Sequence, residues 1–118
     1  MIWLLIGVIS IFWDPGMGYI LPLISPYTLG YFWKRNHPAL AFLVYFLHHV
    51  TALNTGFMEL SLMISVFLIT EIDSLFINNI IPYGILSIAT VFIIVLNYGV
   101  VAGIITSFAA IVIYFWRG

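Results

Sequence analysis

Three basic residues, four acidic residues and three histidines are the only side chains of this 118-residue chain able to carry charge near neutral pH. No other feature restricts its folding as much. A soluble domain needs enough polar surface to face water, and a chain that is 64% hydrophobic with a mean hydropathy of +1.23 does not supply it. The sequence therefore predicts an integral membrane protein, folded as one helical domain over residues 1–118.

The fold class follows from the type of apolar run. Strands of a membrane barrel alternate apolar and polar residues, whereas Met63–Ile69 and Phe92–Leu96 are apolar at almost every position. These runs predict an all-α, polytopic transmembrane bundle. A spanning helix needs roughly 20 apolar residues, so the length accommodates four full segments, or up to six if some are short or broken. Residues 1–13 give only ~20 Å of helix and read as a short or half-inserted segment before a break at Asp14-Pro15-Gly16. With no basic n-region or small-residue cleavage site, they read as a retained segment, not a signal peptide. Residues 17–33 form the first long span, with kinks expected at Pro22 and Pro26. After the Lys34–Pro38 loop, Pro38 suits the first turn of the next helix. That helix runs to about Leu53, turns at Asn54-Thr55-Gly56, and is followed by a segment from Phe57 to about Thr70. Two last segments cover about 80–96 and 99–116.

Orientation follows from the cations. The positive-inside rule puts Lys34 and Arg35 in the cytoplasm. Alternating spans then bring Glu71–Asn79 and Arg117 to the same side. Trp33 and Trp116 lie beside these cations, as interfacial anchors do.

Few side chains remain for chemistry. Without cysteine there are no disulfides and no thiolate sites. A net charge of −1 offers nothing to track phosphates, so nucleic acid is not an expected partner. Phosphate-loop, Gly-x-Ser-x-Gly and His-Glu-x-x-His motifs are missing. A haem between two helices is disfavoured because the histidines in apolar segments, His48 and His49, share one helix. No internal repeat suggests a self-sufficient transporter. No catalytic or cofactor-binding residues are expected in this chain.

The best constellation is His48, His49 and Glu59. A turn at Asn54 would bring them to similar depth near the outer face. Two imidazoles and a carboxylate can bind zinc, copper or iron. Consecutive histidines diverge by about 100° on a helix, however, so the competing expectation is that one histidine pairs with Glu59 or with a partner subunit. Asp14 is a candidate because carboxylates at membrane depth are costly, yet Asp-Pro-Gly is also ordinary turn chemistry that caps a following segment. Glu71, Asp73, Asn78 and Asn79 read as a solvated or partner-facing loop. Gly99, Gly103 and Ser107, flanked by Ala102, Thr106 and Ala110, form a small-residue strip that permits close helix approach.

Three functional classes remain: an accessory subunit of a larger membrane complex, a small homo-oligomeric channel, carrier or holin-like pore, and a metal-binding membrane enzyme subunit using His48, His49 and Glu59. Short polar loops and lipid-facing helices favour contact with other membrane subunits. A pore would show polar residues repeating along one helix face, and the last two segments carry only scattered Ser87, Thr90, Thr106 and Ser107.

Trp13-Asp14-Pro15-Gly16, the Lys34-Arg35-Asn36-His37-Pro38 loop, His48-His49-Val50-Thr51 and Glu71-Ile72-Asp73-Ser74, with the overall size and span number, resemble the small X-type accessory membrane subunit of archaeal ammonia monooxygenase. The resemblance implies a copper-dependent complex that oxidises ammonia to hydroxylamine. Copper would then reside in larger catalytic partner subunits, with this chain packing against them and against lipid. It transfers no catalytic residue onto this sequence.

Overall fold

A computed structural model describes residues 2–16, 20–35, 37–51 and 57–116. Six α-helices form among them: α1 (Ile2–Gly16), α2 (Ile24–Lys34), α3 (Pro38–Thr51), α4 (Met58–Ile72), α5 (Ile80–Tyr98) and α6 (Val100–Trp116), with a single 3₁₀ turn at Asp73–Leu75. The fold is all-α. Among the described residues, α5 is the one helix long and apolar enough to cross a membrane, while α1, α3 and α6 are apolar but shorter. The expected turn at Asn54 and Arg117 lie outside the described residues.

Proline placement explains several boundaries. Pro26, Pro38 and Pro82 each occupy the first turn of their helix. Backbone N–H groups there have no intrahelical acceptor, so a missing donor costs nothing. The kink expected at Pro26 is therefore not needed, and Pro22 precedes α2 altogether. The expected break at Asp14-Pro15-Gly16 falls at the end of α1, which closes at Gly16 with Pro15 in its last turn.

Successive helices alternate in direction. The end of α1 meets the start of α2 where Asp14 binds the Leu23 N–H, and the start of α1 meets the end of α6 where the Trp3 and Trp116 rings pack edge-on at 5.2 Å. Arg35, after α2, forms an ion pair with Asp73, after α4. These contacts give the bundle two polar ends. One carries Lys34, Arg35, Glu71 and Asp73; the other carries Asp14, His48, His49 and Glu59.

The shortest helix is the central one. α2 packs against α1, α4, α5 and α6, and Thr28 reaches α3 through Tyr45. All but three of its residues are buried. α1 approaches α2 closely because Gly7 lies against the Tyr27 ring and Gly30 lies against the Trp3 indole, leaving no room for a Cβ at either glycine. Of the strip Gly99, Gly103 and Ser107, Gly103 alone lies at a tight contact, against Val95 of α5. Gly99 instead forms the α5–α6 joint at φ +102°, a backbone conformation that favours glycine. Ser107 turns its hydroxyl back to the Gly103 carbonyl. The flanking residues Ala102, Thr106 and Ala110 are the buried face of α6.

Polarity is inverted relative to a soluble domain. Ser10, Asp14, Ser25, Thr28, His48, Glu59, Thr90 and Thr106 are buried, whereas Phe12, Phe57, Ile88, Phe108 and Phe115 are exposed. The buried hydroxyls are bonded internally: Ser25 to Thr106 at 3.1 Å, Thr28 to Tyr45 at 2.6 Å, and Tyr83 to the Ala110 carbonyl at 2.5 Å. These bonds link α2 to α3 and α6, and α5 to α6.

Gly30→Ala forces a Cβ into a rigid, buried indole and is expected to destabilise the bundle by about 1–3 kcal/mol. Gly84→Ala, where a Cβ meets nothing within 4 Å, is expected to leave stability unchanged or raise it by up to about 1 kcal/mol. Equilibrium unfolding of the full chain in mild detergent compares the two.

Candidate functional site

The polar end at Asp14 begins with a backbone requirement. The first N–H groups of α2 and of the segment before it need acceptors, and no side chain within α2 caps its start. Asp14 supplies one from another helix: its Oδ1 accepts the Leu23 N–H at 2.7 Å. Capping of the following segment, expected from the Asp-Pro-Gly sequence, is thus what Asp14 does with one of its oxygens.

Its other oxygen does something the sequence did not indicate. Oδ2 lies 2.6 Å from Nε2 of His48, and Nδ1 of the same ring lies 2.7 Å from Oε1 of Glu59. Asp14 on α1, His48 on α3 and Glu59 on α4 therefore form one continuous polar chain, with Asp14 and His48 fully enclosed and Glu59 1% exposed. Glu59 Oε2 extends the chain to Nδ1 of His49 at 3.2 Å, and the His49 side chain is 46% exposed. The chain runs from the interior to the surface and ties three helices together.

An ionised carboxylate only accepts hydrogen bonds. With a carboxylate oxygen at each ring nitrogen, the arrangement around His48 is that of an imidazolium donating one N–H to each side. Both bonds fall in the short range of charge-assisted contacts. Buried charges are tolerated when paired and hydrogen-bonded, and here one positive ring lies between two negative groups. The half-exposed His49 is the fourth member, at the edge of the group.

The expected candidates are thus brought together: His48, His49 and Glu59 meet, in the paired form that competed with metal binding. Both nitrogens of His48 are committed to carboxylates, so a metal ligated there would have to displace one of them. Among the described residues, no group of three or more histidine, aspartate or glutamate side chains is arranged to hold a metal ion. The residue missed from the sequence is Asp14 as the partner of His48. It is the one carboxylate before Glu59, and a histidine enclosed in an apolar helix needs partners for both nitrogens.

The opposite end is simpler. Arg35 adopts a left-handed conformation as the C-cap of α2, its N–H bonding the Tyr31 carbonyl at 2.7 Å, and its guanidinium pairs with the mostly buried Asp73. Glu71, Asn78 and Asn79 are exposed, and the Asn78 side chain accepts the Ile80 N–H at the start of α5. Of the expected solvated loop, Asp73 is the exception because it serves this ion pair.

No family model matches the chain, and no curated protein or solved structure matches it.

His48→Ala would leave Asp14 and Glu59 facing each other across a cavity without their shared cation. Removing one partner of a buried charged group costs about 3–5 kcal/mol, and that is the expected loss in detergent unfolding. Adding Glu59→Gln to His48→Ala is expected to recover part of the loss, because one uncompensated charge disappears. Equal or additive losses would contradict the charge pairing.

Proposed function

We propose that this chain is a non-catalytic structural subunit of a multi-subunit membrane complex, spanning the bilayer as a polytopic bundle among larger subunits. The observation that carries this reading is the inverted polarity. Ionisable and hydroxyl side chains bond to one another inside, while large apolar side chains cover the outside of α1, α3, α5 and α6. Exposed apolar surface on this scale calls for lipid or protein contact. The internal hydrogen bonds leave few polar groups to line a conducting path, which favours packing over transport.

Orientation belongs to the same proposal. The Arg35–Asp73 pair supports an arrangement with Lys34, Arg35 and the Glu71–Asn79 segment at one membrane face. The positive-inside rule makes that face cytoplasmic, together with Arg117. Asp14, His48, His49 and Glu59 then belong to the outer face.

The complex we propose on the sequence resemblance is an archaeal copper-dependent ammonia monooxygenase, which oxidises ammonia to hydroxylamine. Copper belongs to its larger subunits. In that assembly this chain fills helix positions, excludes lipid and holds the catalytic subunits in register.

Solubilising native membranes in mild detergent, isolating this chain and identifying everything that remains attached tests the proposal, with metal analysis of the same fraction. Recovery with larger membrane subunits and copper is the expected result. Recovery alone, or only as copies of itself, would overturn the subunit reading in favour of a homo-oligomeric pore.

A further inference from the structure

The two sides of the bundle differ in the length of apolar surface they show. On α3 the exposed apolar stretch is bounded by two exposed histidines, His37 before the first turn and His49 near the end. They are 12 positions apart, or ~18 Å along a helix. α4 repeats that spacing, since the buried Glu59 and the exposed Glu71 are also 12 positions apart. On α5 the exposed boundaries are Asn79 and Asn97, 18 positions apart, or ~27 Å. Ser87 lies between them, half-buried, and returns its hydroxyl to the Tyr83 carbonyl. An average tilt of about 20° shortens such lengths by less than a tenth, so tilt does not remove the difference.

The short side cannot lengthen itself by side-chain reach. Helical side chains lean towards the N-terminus of their helix, which for His49 is back towards the middle of the stretch. Its Nδ1 is also held 3.2 Å from Glu59. The enclosed Asp14 and His48 lie at this same end, joined to Glu59. Centred in a hydrocarbon layer of ~30 Å, both ends of an ~18 Å stretch would lie roughly 6 Å inside it. A bilayer meets a short apolar stretch by thinning locally, at a modest cost per ångström.

We propose that the bundle sits in lipid of unequal thickness, near the ordinary value beside α5 and drawn in by about a third beside α3 and α4. The partner of the short side is thus a thinned lipid surface, and the inference rests on the reading that the bundle spans the membrane. A neighbouring subunit is the competing cover. It is disfavoured because the outer face of α3 is made of large side chains, Phe42, Leu43, Phe46 and Leu47, whereas helix contacts in membranes favour small residues. Thinning brings the water boundary to His49, the exposed end of the polar chain.

The chain has no cysteine, so a single cysteine carrying a spin label can replace Leu43 or Ile88, the exposed midpoints of the two stretches. Label depth follows from collision rates with oxygen and with a water-soluble nickel chelate, for the full chain in dioleoylphosphatidylcholine vesicles. Half of each stretch gives expected depths of about 9 Å at Leu43 and about 13 Å at Ile88. Labels three positions away, at the exposed Phe46 and Ile85, repeat the comparison and are each expected about 4–5 Å shallower. Equal depths at Leu43 and Ile88 would overturn the thinning and leave the span intact. A Leu43 label reached by neither reagent would mean that protein covers that side, and would overturn it as well. Ile88 in water would overturn the spanning reading, and this inference with it.

Discussion

A polar side chain enclosed in a small helical bundle must find its hydrogen bonds within the bundle or lose several kcal/mol. In this protein that constraint falls hardest on His48. Its ring is enclosed, and both of its nitrogens meet carboxylates brought from other helices, Asp14 from α1 and Glu59 from α4. The position of α1 follows from this, since Asp14 must reach His48 while its other oxygen holds the start of α2.

The same constraint accounts for the place of α2. It is short and comparatively polar, with Ser25, Thr28, Tyr27 and Tyr31 all buried. On the outside these groups would face whatever covers the apolar exterior. At the centre, Ser25 reaches Thr106 on α6 and Thr28 reaches Tyr45 on α3. The more uniformly apolar α5 and α6 pack on the periphery, where exposed Ile88, Phe92, Phe108 and Phe115 have no polar duty. Close contact between α1 and α2 is then set by sterics at Gly7 and Gly30, which admit Tyr27 and Trp3. Polar pairing decides which helices are neighbours, and small residues decide how near they come.

Much of the helical layout could be read from the sequence, because long apolar runs bounded by Asn, Gly and Pro leave little choice. Segments near 38–51, 58–72, 80–98 and 100–116 follow that pattern directly. The meeting of His48, His49 and Glu59 was also accessible, since Glu59 lies only 11 and 10 residues from the two histidines along the chain. Asp14 was harder to place: its partner lies 34 residues away, and no local periodicity encodes such a contact. Asp-Pro-Gly, by contrast, is a local signal, and α1 ends with it at Gly16 while Asp14 caps the segment that follows. The small-residue strip was legible as a packing signal, but sequence alone could not assign Gly103 to Val95 or Gly99 to the helix joint.

The central claim is that one cationic imidazole is shared by two buried carboxylates, and the nitrogen NMR signals of the His48 ring test it most directly. The full chain would be labelled at histidine ring nitrogens, reconstituted in bilayers near neutral pH, and assigned by comparison with His48→Gln. The account predicts that both His48 nitrogens carry protons, with imidazolium-type signals and hydrogen-bond couplings to Asp14 and Glu59. A ring with one bare nitrogen, or one exchanging freely with solvent, would contradict it.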